Sequence, residues 1–226
     1  FDGLYKLNPE SQIHTPFEEI VANVNLLDRR VMALAIKETE LWVGFFHGGL
    51  QIIDLEKETT RTPKISHVED LAVTQILHAS NEITWVGTYN RGLFRISKGG
   101  EESLYTPKSA NQRIPELAVT LILEINDGSI IVGAETKAYQ IYGFDEPVRE
   151  LKFKFRDGRA PPIILSAAQY LNGDIWIGTK DQGLFIWHDQ PNSTGEIQLE
   201  LAKGSSEFPS STIYAIEFDE EGFAWI

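Results

Sequence analysis

The segment Trp176-Ile177-Gly178-Thr179, followed after three residues by Gly183-Leu184-Phe185, recurs along the whole chain. Close copies start at Trp42 and Trp85, and a degenerate copy starts at Ile131. The glycine-leucine position follows the tryptophan position by seven residues in each copy, and successive copies lie 43 to 46 residues apart. A fixed period of this size is typical of a repeat architecture.

Each repeat contains four short apolar runs separated by turn residues. Runs of this length, rich in Val, Ile, Trp, Phe and Tyr, are typical of β-strands. Between the first and second runs stand Asn172-Gly173, Asp127-Gly128 and Glu221-Gly222, and such pairs favour two-residue hairpin turns. One repeat is therefore a four-stranded antiparallel meander of about 45 residues, which is the size of a propeller blade.

The sequence predicts an all-β fold: a β-propeller of four-stranded antiparallel blades with about five repeats in a single domain, residues 1–226. We expect complete blades at 31–62, 73–105, 118–155 and 163–201, with half blades at 1–17 and 213–226. Two outcomes stay open. The half blades could close a five-bladed ring, or the chain could be a fragment of a seven-bladed propeller.

The repeated residues have predicted structural roles. The glycine two residues after each tryptophan shares its face, where a side chain would crowd the next blade. The glycine of Gly-Leu follows a tight loop and is expected to need a positive φ. The tryptophans are expected to fill the core between blades. The set is Trp42, Gly44, Gly49, Trp85, Gly87, Gly92, Gly133, Trp176, Gly178, Gly183 and Trp225.

Composition excludes several classes of function. The formal net charge is −13, which repels a phosphate backbone and argues against nucleic-acid binding. The chain has no cysteine, so disulfides, thiolate catalysis and zinc-thiolate sites are excluded. No metal site or cofactor is expected, and no apolar run reaches the length of a membrane span.

The repeat also resembles the two-component regulator propeller family. The shared features are a hydrophobic strand, an Asn-Gly or Asp-Gly turn, Leu/Ile-Trp-Ile/Val-Gly-Thr, three variable residues and Gly-Leu-Phe. The resemblance covers the chain at five positions, with the Trp42, Trp85 and Trp176 copies closest to the pattern. It implies a periplasmic, ligand-sensing ectodomain of a bacterial receptor that self-associates. It also implies that the membrane helix and the kinase or cyclase module lie in flanking segments.

The loops between second and third strands are the predicted ligand site, because their framing is constant while their contents vary. Their side chains offer stacking surfaces and hydrogen-bonding groups suited to a small molecule or a carbohydrate. The candidates are Phe46, His47, Tyr89, Asn90, Arg91, Lys180 and Asp181. Solvated loop residues without a ligand are the simpler interpretation. The inter-blade loops add residues 111–113, 156–159 and 205–208 to the same face.

Two other functions stay open. The chain could be a propeller enzyme, a glycoside hydrolase or a lyase, although no nucleophile elbow, phosphate-binding glycine loop or His-Glu-x-x-His motif occurs. Asp174 and Asp181 are the carboxylates to consider for glycoside hydrolysis. The chain could also be a platform for protein–protein interaction. We expect no catalysis within this segment.

Overall fold

The computed structural model describes residues 3–20, 25–109, 113–155, 159–160, 162–188 and 196–226. The chain divides into two compact units, Phe1–Leu104 and Tyr105–Ile226. Most of the predicted loop 156–159 and part of the loop 111–113 lie outside the described residues. The predictions of a single domain and of ring closure stay predictions.

The first unit contains a two-stranded sheet and two four-stranded sheets. The small sheet pairs β1 (Tyr5–Leu7) with β2 (His14–Pro16), and one helical turn, α1 (Phe17–Ile20), follows. The next sheet has the order β3 (Val31–Lys37), β4 (Glu40–Phe45), β5 (Leu50–Asp54) and β6 (Thr59–Arg61). The third contains β7 (Val73–His78), β8 (Thr84–Thr88), β9 (Leu93–Ile96) and β10, whose range Glu102–Tyr105 reaches the unit boundary.

The second unit begins with β11 (Val119–Glu124), β12 (Ile130–Ala134), β13 (Lys137–Ile141) and β14 (Arg149–Phe155). It continues with β15 (Ile164–Gln169), β16 (Ile175–Thr179), β17 (Leu184–Trp187) and β18 (Glu196–Leu201). The last pair is β19 (Glu217–Phe218) and β20 (Ala224–Trp225). One-turn 3-10 helices lie at Val68–Asp70 and Ser205–Glu207 in the two units.

The predicted fold class is confirmed, because antiparallel four-stranded meanders recur at the predicted positions. The half blades are smaller than predicted. In the half blade predicted at 1–17, the second strand is only His14–Pro16, since a helical turn begins at Phe17. In the half blade predicted at 213–226, the first strand is only Glu217–Phe218.

The turns between first and second strands correct the two-residue prediction. The Tyr170 N–H donates to the Asp174 carbonyl, and the Gly173 N–H donates to the Tyr170 carbonyl, at 2.8 and 2.9 Å. This geometry defines a three-residue loop whose third residue has a positive φ, 95° at Gly173. Gly128 and Gly222 occupy the same position with φ of 80° and 87°. The prediction that these glycines are turn residues is therefore confirmed, while the loop is one residue longer than predicted.

The degenerate repeat differs from its sequence alignment. Gly133 pairs with Ala138 five residues later, whereas Gly178 pairs with Leu184 six residues later. Ala138 therefore corresponds to the leucine of Gly-Leu, and not to its glycine. The loop is one residue shorter because Glu135 adopts a φ of 51° and closes a two-residue turn.

The first repeated glycine fills its predicted role. A Cβ placed on Gly44 would lie 2.4 Å from Val73 Cγ1 of the next sheet, and one on Gly178 would lie 2.7 Å from Ile213 Cγ2 of the next repeat. At Gly133 the distance to Ile164 Cβ of the next four-stranded meander would be 3.6 Å. Adjacent sheets approach closely at these points because a side chain is missing.

The tryptophans follow the prediction at most positions. Trp42 and Trp85 are buried, and Trp176 is partly buried and packs against the core of Leu184 and Ile213. The prediction is wrong for Trp225, which is 67% exposed. Its sheet has two strands in the described chain, so no third strand or facing sheet covers the indole, whose Nε1 donates to Asp219 at 2.8 Å.

One pairing in the second unit was not predicted. The outermost strands of two successive repeats, β14 and β18, pair in parallel from Lys152–Glu196 to Phe155–Leu199. This pairing joins two four-stranded meanders into one eight-stranded sheet. The side chains of Phe153 and Phe155 pack against the cluster of buried residues between the two meanders.

Candidate ligand-binding loops

The loops between second and third strands share one backbone framework. In each complete repeat, an N–H at the start of this loop donates to a carbonyl just before the first strand of the same repeat. The four bonds are Phe46 to Arg30 at 3.0 Å, Tyr89 to Ala72 at 2.8 Å, Glu135 to Ala118 at 3.2 Å and Lys180 to Ile163 at 2.9 Å. Each loop is thus fixed to the connection that precedes its blade.

A buried threonine closes two of these loops. The Thr88 hydroxyl donates to the Gly92 carbonyl at 2.8 Å and accepts the Arg91 N–H at 2.9 Å. The Thr179 hydroxyl donates to the Gly183 carbonyl at 2.7 Å. The glycines there have φ of 84° and 87°, and Gly49 has 76°, which confirms the positive φ that the sequence predicts.

The first loop places an aromatic pair beside charged residues. The ring of Phe46, 39% exposed, lies edge-on to His47 with 4.7 Å between centroids. The Arg30 guanidinium sits 5.4 Å from the centroid of the Phe46 ring. Asp28 accepts the His47 N–H at 3.2 Å and forms an ion pair with Arg30 at 3.1 Å. This loop therefore presents an exposed aromatic face and a partly exposed cation.

The second loop combines an exposed ring with a structural amide. The Tyr89 side chain is 62% exposed. Asn90 accepts the Ala72 N–H at 3.1 Å and donates to the Asp70 carbonyl at 2.9 Å, so its amide holds the preceding connection in place. Arg91 pairs with the Asp70 carboxylate at 3.4 Å. Tyr89 and Arg91 remain accessible to a ligand, whereas the Asn90 side chain forms hydrogen bonds to the backbone of the preceding connection.

The loop between β16 and β17 in the second unit has one exposed side chain and one that forms hydrogen bonds to a neighbouring connection. Asp181, with a φ of 63°, accepts the Thr212 hydroxyl at 2.8 Å, and its own N–H donates to Thr212 Oγ1 at 3.1 Å. Asp181 therefore fixes the loop to the connection before the fifth repeat. The Lys180 side chain is exposed.

The structure adds side chains that the sequence did not indicate, namely Asp28, Arg30 and Asp70. They lie in the connections before the first strands, which the four framework bonds bring to the same end of each sheet as the loops. The alignment of repeats could have indicated these connections, but their residues share no motif. Among the described residues, His67, Glu69 and Asp70 form a group that could hold a metal ion: all three are exposed, and their ligand atoms lie within 4.8 Å of one another.

The pair of carboxylates considered for glycoside hydrolysis is not assembled. Asp174 comes just before β16 and Asp181 follows it, so the two lie beyond opposite ends of a five-residue strand. Such a strand spans about 16 Å, beyond the separation of roughly 5–10 Å that glycosidases need.

The fold defines the class: the chain has the repeated four-stranded meanders of a β-propeller. No protein-family model matches the sequence, and neither does any curated protein sequence. Solved structures do match. The extracellular domain of BT4673 from B. thetaiotaomicron, assigned as a hybrid two-component system, has a TM-score of 0.69 at 21% identity, covering 88% of this chain and 26% of that domain.

Two other propellers are similar to the same degree. PorZ, a surface component of the type-IX secretion system of Porphyromonas gingivalis, has a TM-score of 0.70 at 16% identity, covering 97% of this chain and 34% of PorZ. Virginiamycin B lyase from Staphylococcus aureus has a TM-score of 0.67 at 16% identity, covering 89% and 65%. These identities establish the fold alone, and the chain spans about a quarter of the length of the BT4673 domain. No helix among the described residues is long and apolar enough to cross a membrane.

Proposed function

We propose that the chain is an extracytoplasmic, periplasmic propeller region of a bacterial two-component-type sensor. In this role it binds a small molecule or carbohydrate at the loops between second and third strands. The observation that carries the proposal is the constant backbone framework, four equivalent hydrogen bonds of 2.8 to 3.2 Å, on which each loop presents different side chains. The resemblance of the repeat motif and the similarity to sensor ectodomains support it.

Within the first unit, the accessible groups are suited to a polar ligand with a ring. Phe46 and Tyr89 offer exposed aromatic faces, and Arg30, His47 and Arg91 offer hydrogen-bond donors beside them. Rings that stack on an aromatic face while their edges accept hydrogen bonds, as sugars and aromatic acids do, match this combination. Each guanidinium pairs with an aspartate, at 3.1 Å for Arg30 and 3.4 Å for Arg91, which restricts its conformations before a ligand binds.

The proposal is tested by saturation-transfer NMR with a panel of neutral and acidic mono- and disaccharides. We expect saturable binding of at least one probe, weakened about tenfold or more by Tyr89→Ala or Phe46→Ala, as the loss of a stacking ring implies. Tyr214→Ala is the matched control, because Tyr214 is exposed in a connection of the second unit. A panel without binding, or binding that both loop variants leave unchanged, would contradict the proposal.

The same mixtures separate sensing from catalysis. A sensor region leaves each probe chemically unchanged, whereas a hydrolase or a lyase produces new resonances with time.

Self-association, which we propose for the receptor, is tested by analytical ultracentrifugation. A strict monomer at high concentration would count against it.

A further inference from the structure

The two four-stranded sheets of the first unit enclose a groove that the loops described above do not use. The groove has a volume of about 610 Å³. Lys37, Trp42 and Arg61 line it from one sheet, and Thr84 and Ile96 line it from the other. Lys37 stands at the end of β3, where the turn to β4 lies, so the groove opens at the end of the strands opposite to Phe46.

The strand register explains which side chains face the groove. Lys37 pairs with Glu40, and Trp42 pairs with Ile52, which pairs with Arg61. Directly paired residues, and residues two apart on a strand, project from the same face of a sheet. These side chains therefore form one continuous face, apolar toward the middle of the strands and charged toward the turn.

The second unit shows why the groove is open. There, the outer strands β14 and β18 pair in parallel and close the corresponding gap between two meanders. In the first unit the outer strand β6 has three residues, and it pairs with β5 alone among the described strands. The chain then continues through Thr62, Pro63 and Lys64, which line the groove and leave it open.

Two cations in the groove retain unused donors. Lys37 is partly buried, and no carboxylate of the described chain forms an ion pair with it. Arg61 contacts both oxygens of Glu40 through Nη2 alone, at 2.7 and 3.0 Å, which leaves Nε and Nη1 for another acceptor. Three carboxylates, those of Glu38, Glu40 and Glu82, also line the groove beside the four basic side chains of Lys37, Arg61, Lys64 and Lys98. Glu40 pairs with Arg61 and Glu82 pairs with Lys98, so four positive and three negative charges leave the lining with a net charge of +1.

The remaining surface of the groove suits the body of a small organic molecule. Ile96 is 7% exposed and Trp42 is 6% exposed, and Pro63 is buried beside them. The Trp42 Nε1 already donates to Glu40 at 3.2 Å, so the indole contributes a fixed apolar wall. The volume lies within the range of small-molecule sites in proteins.

We propose that this groove binds a small organic anion. Lys37 and the free donors of Arg61 hold its oxyanion group, and its body lies against Pro63 and Ile96. Charge assistance gives such contacts their strength, and the guanidinium held by Glu40 is oriented in advance. The groove is separate from the loops proposed for sensing, so the test of this proposal is independent of the test of the sensing function.

The Trp42 indole provides a local signal for the test, because it forms the wall of the groove. The experiment follows the indole N–H resonances of the whole chain by ¹H–¹⁵N NMR during titration with three oxyanion probes. These are glucuronate, benzoate and inorganic phosphate, and glucose serves as the uncharged counterpart of glucuronate. Phosphate separates simple anion binding from recognition of an organic body.

We expect glucuronate or benzoate to shift the Trp42 signal with saturation at millimolar concentration, and glucose to leave it unchanged. Lys37→Gln, which preserves the Arg61–Glu40 pair, should weaken binding about 10- to 100-fold, the effect of one lost hydrogen bond to a charged group. Lys108→Gln, which removes an exposed lysine of the second unit, should have no effect. The proposal is overturned if no organic probe gives a saturable shift, if phosphate alone binds, or if Lys37→Gln binds as the wild type does.

Discussion

The indole of Trp42 packs edge-on against the imidazole of His78, with 5.0 Å between ring centroids and an interplanar angle of 81°. The two rings belong to adjacent sheets. Trp176 meets Phe218 in the same way, at 5.4 Å and 86°. In both cases the tryptophan of one repeat contacts the last position of the first strand in the next repeat. The repeat thus fixes a contact between blades, although only the tryptophan appears in the motif.

Because His78 is the partner of Trp42 in this contact, the free energy of unfolding depends on pH. His78 Nδ1 lies 2.9 Å from the Thr84 hydroxyl, and Nε2 is buried without a hydrogen-bond partner. Burial, with the charge of Lys37 as a second cause, lowers the pKa of His78 below its ordinary value of 6.5. The unfolded chain therefore takes up the proton first as the pH falls, and the free energy of unfolding decreases below about pH 6.5 toward the lower folded-state pKa.

His78→Phe should remove this part of the pH dependence, because Phe218 shows that a phenyl ring fits the equivalent position. The measurement is urea unfolding between pH 5 and pH 8, compared with His14→Phe, which removes an exposed histidine. If His78→Phe and the wild type lose stability in parallel over this range, His78 is not the responsible group.

A second prediction concerns the missing side chain at Gly178. A Cβ there would lie 2.9 Å from Ile213 Cβ and 2.2 Å from Ser166 Oγ, which is held by a hydrogen bond to the Ile213 carbonyl at 3.0 Å. Gly178→Ala should therefore lower the free energy of unfolding by about 1–3 kcal/mol, as overpacking does. Gly99→Ala is the control, since its Cβ would meet no atom closer than 3.8 Å. Equal stability of the two variants would show that the sheets can move apart at no cost.

Most of the fold could be predicted from the sequence because one pattern is repeated. The close approach at Gly44 and Gly178 follows from the spacing of tryptophan and glycine alone. The predictions that were wrong depend on local features that the pattern does not contain. Glu135 closes a shorter turn, and Trp225 lacks the neighbour that buries Trp42. The parallel pairing of β14 and β18 joins segments far apart in sequence, which no local pattern encodes.

The candidate site could be predicted only in part. The constant residues on either side of each loop predicted where the loops lie, and Phe46 and Tyr89 are exposed at the predicted positions. It could not show that Asn90 and Asp181 form hydrogen bonds to neighbouring connections, because those partners carry no motif. Polar loop residues have the same appearance in a sequence whether they bind the backbone or a ligand.

A third prediction follows from the threonine that closes two of the loops between second and third strands. The side chain of Thr179 is fully buried, and its hydroxyl donates to the Gly183 carbonyl at 2.7 Å. Thr179→Val should lower the free energy of unfolding by about 1 kcal/mol, the typical value for one hydrogen bond. Thr136→Val, at an exposed turn, should change it by less than about 0.5 kcal/mol. Chemical denaturation measures both changes. If Thr179→Val leaves the free energy of unfolding unchanged, the hydrogen bond from the Thr179 N–H to the Gly183 carbonyl, at 3.2 Å, is sufficient to hold the loop.

A fourth prediction tests the parallel pairing of β14 with β18 through two neighbouring side chains. Phe155 packs edge-on against Phe185 at 5.1 Å and an angle of 76°, whereas Lys154 is 60% exposed and contacts Glu196 at 2.6 Å. Phe155→Ala should cost about 2 kcal/mol, because a partly buried ring leaves a cavity smaller than that of a core phenylalanine. Lys154→Ala should cost less than about 1 kcal/mol, the usual limit for an exposed ion pair. Amide hydrogen exchange over Glu196–Leu201 should rise in the Phe155 variant and stay near the wild-type rate in the Lys154 variant. Equal effects of the two substitutions would mean that the joined sheet is held by its backbone ladder alone, without help from aromatic packing.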